Sequence, residues 1–169
     1  VVRLDGTLWL PQRILHGAHG TDRGAGVSSS PRLRQRLRRA GMTQRGNRRQ
    51  RTFFGDADYR TYIALMADWC RRCAIAVWAC CLMPNHAHLV VVPSDEDGLR
   101  LGIGQAHRRC TRRINFRKGW RGHLWQGRFG SCVMDEPHLL AAVRYVEMNP
   151  VRAHLVERPE DWPWSSTAA

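Results

Sequence analysis

Lysine is almost missing from this chain: Lys118 is the only one, and the other cations among its 27 Lys and Arg residues are all arginine. Acidic residues are scarce too, 14 Asp and Glu against those 27 cations, for a formal charge of +13 and an isoelectric point near 11.0. The codon bias of a GC-rich genome accounts for arginine replacing lysine, but not for a twofold excess of base over acid. That excess points to a polyanionic partner, and arginine's flat fork of donors matches phosphates and stacks on bases. Long apolar runs are absent as well. None approaches the roughly 20 residues that span a bilayer, and no charged-then-apolar signal segment opens the chain. The expectation is a soluble, cytoplasmic protein. Nothing marks the chain as secreted, so its six cysteines are read as reduced thiols rather than a disulfide framework. The 169 residues suffice for one domain with its own core.

Two regions differ in composition. Residues 1–39 mix Gly, Ser, Pro and Arg without sustained periodicity and end in the basic run Arg32, Arg34, Arg36, Arg38 and Arg39. Such low complexity predicts a disordered, solvated segment, with a nucleic-acid-binding arm as the other reading. Residues 40–169 carry ordered patterns. Met42 to Arg45 suits a short strand closed by the Gly46-Asn47 turn signal. Asp56 is placed to cap a helix with the apolar stripe Tyr59, Tyr62, Ile63, Met66, Cys70 and Cys73. Ile75 to Leu82 and His86 to Val92 read as two strands joined at Met83-Pro84-Asn85. A helix from about Leu99 to Phe116 buries Leu99, Ile103, Ala106 and Cys110, with Gly102 and Gly104 weakening its first turns. A last strand fits within Arg128 to Met134, then a helix with Pro137 in its first turn, closed by Pro150. This order predicts an α+β, ferredoxin-like (RRM-like) fold: an antiparallel sheet, helices on one face, and a further C-terminal helix.

The residues suited to chemistry fall in two of these elements. In a strand, His86 and His88 project from one face while Ala87 and Leu89 point to the other, so both imidazoles can converge on one divalent cation. Imidazole donors favour zinc, manganese or another transition metal over magnesium; the spacing is equally that of an unrelated histidine pair. Tyr145 and Asn149 lie four apart on one helical face with His138 and Ala141, while Leu139, Val143 and Val146 form the apolar stripe. A phenol with a pKa near 10 needs help to act as a nucleophile at neutral pH, and a metal on the scissile phosphate would give it. A tyrosine that merely packs with its hydroxyl outward has the same spacing.

The segments LMPNHAHLVVV and YVEMNPVRA resemble the REP-associated tyrosine transposases, a branch of the single-tyrosine HUH transposase superfamily. Supporting stretches are TQRGNRRQ, GHLWQGRF and RPEDWPWSS, and together they cover about residues 41–167 in the expected order. The resemblance implies a nucleophile at Tyr145 and metal ligands at His86, His88 and Asn149, with Mg²⁺ or Mn²⁺ as the cofactor. It implies cleavage and rejoining of single-stranded DNA near hairpins through a 5′-phosphotyrosine. It also implies a bacterial, nucleoid-associated protein acting as a monomer or homodimer. Strand binding would fall to Arg45, Asn47 and Arg48 in the first loop, to Arg108, Arg109, Arg112 and Arg113, and to Arg128. Trp120, Trp125 and Phe129 offer rings for unpaired bases, core packing being the alternative for Trp125. Cys81 and Cys110 stand where the family commonly has an aromatic, and His154 where it has glycine.

Two rival readings accompany this one. Cys70 and Cys73, with Cys80 and Cys81, invite a structural zinc site, although the first two lie on an apolar helical stripe. A domesticated protein that binds hairpin DNA without cutting it is the other.

Overall fold

A computed structural model of the chain describes residues 39–95 and 97–168. The segment expected to be disordered lies outside them, except Arg39, which opens the first strand. The elements run β1 (Arg39–Arg45), α1 (Asp56–Arg72), β2 (Ile75–Met83), β3 (His86–Pro93), α2 (Gly98–Lys118), β4 (Gly130–Met134), α3 (Glu136–Glu147) and the single turn α4 (Asn149–Arg152). The sheet has the order β2-β3-β1-β4 with every neighbouring pair antiparallel. This is the expected α+β, ferredoxin-like arrangement.

Both faces of the sheet are covered. On one, Ala40, Met42, Ala87, Leu89 and Val91 pack with Tyr62 and Met66 of α1 and Ile103 and Ala106 of α2. On the other, Ala79, Cys81, Met83 and Val90 meet Leu139 and Val146 of α3. β3 sits between the two layers, which is why it reads as the apolar run Ala87 to Val92 broken only by His88. In β2 the register shifts between Val77 and Ala79. One extra residue reverses the alternation, so Val77 joins the α1/α2 side and Ala79 the α3 side. Gly102 has a packing reason: a Cβ there would stand 2.6 Å from Ile75 Cδ1. The outer edge of β2 is closed by the C-terminal segment, where Leu82 N–H donates to Trp164 O (2.8 Å) and Trp162 Nε1 to Leu82 O (3.0 Å). The Trp164 ring stacks on Tyr59 at 4.7 Å.

Two boundary expectations are corrected. Asp56 is the first helical residue of α1, not its cap; the cap position is Gly55, which offers no side chain. The capping carboxylate is Asp58, which accepts from Phe54 N–H at 2.8 Å, reaching back from the first turn. Pro150 does not end the helical path, because a proline in a first turn sacrifices no intrahelical bond. α3 stops at Glu147, and Pro150 sits inside α4. The path then ends at His154, whose φ of +53° is left-handed, the conformation that favours glycine there.

The zinc reading is not supported. Cys70 is buried in the core, and among the described residues no three His, Cys, Asp or Glu side chains converge as a metal cluster.

Asp58 also receives both guanidinium nitrogens of Arg117, at 2.5 and 2.7 Å, tying the start of α1 to the end of α2. Burial alone would raise its pKa, but the Arg117 and Phe54 hydrogen bonds outweigh it and hold the carboxyl below 3.8. Its contribution is therefore complete above that value and is lost as pH falls through the lowered folded pKa. Asp58→Asn should cost about 2–4 kcal/mol near neutral pH by urea denaturation. The difference from wild type should shrink as the pH falls through that lowered pKa. An unchanged midpoint at neutral pH would contradict this role.

Candidate active site

The histidine pair lies where β3 enters the sheet. The Met83-Pro84-Asn85 turn sets β3 against β2, and β1 pairs with β3 so that Thr43 faces His88 and Arg45 faces His86. His86 and His88 share a sheet face, their rings edge to face with centroids 4.8 Å apart. Each ring is held by one nitrogen: His88 Nδ1 lies 3.0 Å from Thr43 Oγ1, and His86 Nδ1 lies 2.6 Å from Asn85 Oδ1. With Nδ1–H donating to Thr43, the Nε2 lone pair of His88 is free. Burial first, then the charges of His86 and Arg45, pushes His88 down to about 4. Burial and Arg45 lower His86 too, against a hydrogen bond to Asn149 that raises it. Both rings are neutral at pH 7.

Tyr145 reaches this pair from α3. Asp135 caps that helix by accepting from His138 N–H at 3.1 Å, and Leu139 and Val146 seat it on the sheet. Seating by that stripe turns the opposite flank outward, so Tyr145 is 47% exposed. Its ring stands perpendicular to His88 with centroids 5.7 Å apart. The Arg152 guanidinium lies 5.2 Å over the tyrosine ring, adding a positive charge beside the phenol. One turn on, Asn149 Nδ2 donates to Tyr145 O at 2.9 Å. That bond spends the amide's donor side on the helix, leaving Oδ1 to meet His86.

Two neutral imidazoles and an amide oxygen form a donor set that can hold a divalent cation while leaving positions for phosphate oxygens and water. The donors come from β3 and from the α3–α4 junction, segments far apart in sequence. Thr43 and Arg152 lie in the resembling stretches but are assigned no role by the sequence: Thr43 becomes a partner only through the β1–β3 register, and Arg152 only because the helical path continues past Pro150.

The residues expected to hold DNA divide into three sets. Arg45 is exposed and borders the histidines. Asn47 and Arg48 lie in the next loop, which starts at a tightly enclosed Gly46; a Cβ there would stand 2.3 Å from Gln50 O. Arg48 and Arg49 follow with φ of +52° and +59°, two adjacent non-glycine residues in the left-handed region, where backbone strain is stored. Arg108, Arg109, Arg112 and Arg113 are exposed on α2, with the Arg109 guanidinium 5.2 Å over Trp69. Arg128 is exposed just before β4.

Trp125 is placed differently. It is buried in the core, its ring tilted against His107 at 5.0 Å and near Phe53 and Tyr62. Packing, the second of its two expected roles, is what the structure supports; its ring faces are taken. Trp120 remains partly exposed with its ring edge-on to Phe54 at 5.6 Å, and Phe129 is half-buried near His107.

The depressed histidines fix a pH dependence. A folded pKa below the unfolded 6.5 means the neutral ring is the one folding favours, so this contribution is full above pH 6.5 and is lost as pH falls toward 4. An NMR titration of the metal-free protein should give His88 a midpoint near 4. A midpoint near 6.5 would show the ring to be solvated, and the site open, in a way the packing contradicts.

Comparison with known proteins identifies the family. The model of the family "Transposase IS200 like" matches residues 42–149, a span that begins in β1 and ends on Asn149. A curated Haemophilus influenzae relative, described as a REP-associated tyrosine transposase, is 29% identical over 57% of this chain and 61% of its own length. The chain thus spans about three-fifths of that relative. Among solved structures, a REP-associated tyrosine transposase bound to a REP hairpin superposes with a TM-score of 0.61 at 20% identity, covering 78% of this chain and 77% of that one. A Deinococcus radiodurans protein described as a transposase gives 0.50 at 17% identity, over 75% and 96%. At these identities the two structures speak for the fold. The family model spans well over half of the sequence and includes every residue of the site except Arg152, so the chain belongs to the IS200-like transposase family.

Proposed function

We propose that this protein is a REP-associated, HUH-type tyrosine transposase that cleaves and rejoins single-stranded DNA beside hairpins, with Tyr145 as its nucleophile. The observation that carries the reading is the convergence of Tyr145 with His86, His88 and Asn149 on one sheet face. Tyr145 is the exposed one of three tyrosines, Tyr59 and Tyr62 being buried in the core. The hairpin in the related structure belongs to that protein; the same class of DNA is the substrate proposed for this one.

In the proposed reaction, Tyr145 Oη attacks the scissile phosphorus in line. The new Oη–P bond forms as the bond from phosphorus to the 3′-oxygen breaks, leaving a 5′-phosphotyrosine and a 3′-hydroxyl. The proton lost by the phenol is balanced by the one gained at the 3′-oxygen, and because one phosphate ester is exchanged for another, no ATP is required. Attack by another strand's 3′-hydroxyl reverses the exchange and restores the tyrosine. His86, His88 and Asn149 would hold a divalent cation, Mg²⁺ or Mn²⁺, which when bound would polarise and orient the phosphate. Thr43 and Asn85 keep the rings turned for that role, and Arg45 and Arg152 add positive charge where the phosphate must sit. A binder that no longer cuts is the weaker reading, because the nucleophile and all three donor positions are present and brought together.

Incubation of the protein with a labelled single-stranded hairpin oligonucleotide and Mn²⁺ should give a denaturant-stable protein–DNA adduct. EDTA should abolish it without unfolding the protein, and His88→Ala should reduce it at least a hundredfold, the scale expected on losing a metal ligand. Tight binding with no adduct under any divalent metal would instead favour the non-cleaving binder.

A further inference from the structure

The charges of this chain are not mixed evenly. Among the described residues, Arg39, Arg60, Arg72, Arg100, Arg117 and Arg158 each form an ion pair with a carboxylate. Midway along α2, Arg108, Arg112 and Arg113 crowd within two turns, exposed and without an ion pair among the described residues, while Arg117 on the last turn is the one that pairs with Asp58. One residue in this basic stretch is out of place. Phe116 is 92% exposed, the most exposed of the large apolar side chains described, and it borders an open groove of about 740 Å³ also lined by Arg109, Arg112, Arg113 and Asn115. A lone phenylalanine held in water gains nothing for the fold, and no aromatic or cationic side chain among the described residues covers its ring.

The groove lies at the site's end of the sheet. α2 follows β3 and packs beside α1, returning toward the end where β3 begins at His86. Beyond its last turns, Asn115 Nδ2 donates to Gly122 O at 2.9 Å, and Asn47 N–H donates to Leu124 O at 2.8 Å. Asn47 follows Arg45, which is paired with His86 in the sheet. The groove, on the α1/α2 face, and the histidine pair, on the α3 face, thus share one end of the sheet, joined through the loop that carries Arg48 and Arg49.

We propose that Phe116 is a stacking platform for one unpaired base of the DNA strand, with Arg112 and Arg113 on the flanking phosphates. The occupant is single-stranded DNA because the surface pairs a bare π-face with cations that lack counter-charges. A duplex hides its base faces, and an acidic protein segment has no use for the ring. Stacking of this kind tolerates any base, while the arginines make binding sensitive to salt. The proposal rests on the DNA-processing reading given above, and it assigns where the strand's unpaired flank is held.

The test measures binding apart from chemistry. In a Tyr145→Phe background, the affinity for a fluorescent hairpin with an unpaired flank of about ten nucleotides is followed by anisotropy. Phe116→Ala and Phe116→Leu should each weaken binding about tenfold, with an unchanged melting temperature; Phe116→Trp should restore it. Neither loss should appear on a blunt hairpin without the flank. Arg112→Ala and Arg113→Ala should each reduce the slope of log K against log salt by about one. Wild-type affinity in Phe116→Ala, full rescue by Leu, or an equal loss on the blunt hairpin would each overturn the proposal. These outcomes are separable from the nuclease assay: adduct formation without Phe116 dependence defeats only this inference, and Phe116-dependent binding without an adduct defeats only the cleavage chemistry.

Discussion

The pairing of β1 with β3, in the register that sets Thr43 opposite His88, is the constraint on which the site depends. It fixes which face of β3 carries the imidazoles, and it supplies the hydroxyl that orients one of them. A slip of one residue would turn His86 and His88 into the α1/α2 core and bring Ala87 and Leu89 to the α3 side. The slip is resisted by the apolar residues of β3 itself, which pack on both faces. Stability and function are thus set by the same hydrogen-bond ladder.

The second half of the site depends on a weaker contact. α3 is held to the sheet chiefly through Leu139 and Val146, and its far end touches the C-terminal segment where Ser166 Oγ donates to Glu147 Oε1 at 3.4 Å. One helical stripe seats the helix and leaves the opposite flank for chemistry, so Tyr145 is exposed without being loose in sequence register with Asn149. The apolar anchorage of α3 is small, whereas α1 and α2 are fastened to each other through Asp58 and Arg117.

Much of this was legible in the amino-acid sequence, for identifiable reasons. Period-two and helical patterns depend on local geometry, so they located β2, β3, α1 and α2 closely and put His86 with His88 and Tyr145 with Asn149. What could not be read depends on contacts between distant segments. Thr43 gains its role from the register, and Trp125 was equally suited to a base or to the core until its neighbours Phe53, Tyr62 and His107 were known. Asp56 was the plausible cap by residue type, but the carboxylate of Asp58 was the one drawn in by Arg117. Phe116 marked only the end of a helix in the sequence; its exposure among arginines is what singles it out.

The central claim is that Tyr145, and no other side chain, takes the DNA strand covalently. Mass spectrometry of the protein after reaction with a hairpin oligonucleotide and Mn²⁺, followed by nuclease and protease digestion, tests it directly. The account predicts a nucleotide phosphate on the peptide containing Tyr145, with fragment ions placing it on that residue. A modification mapped to a serine, a cysteine, or the buried Tyr59 or Tyr62 would contradict it.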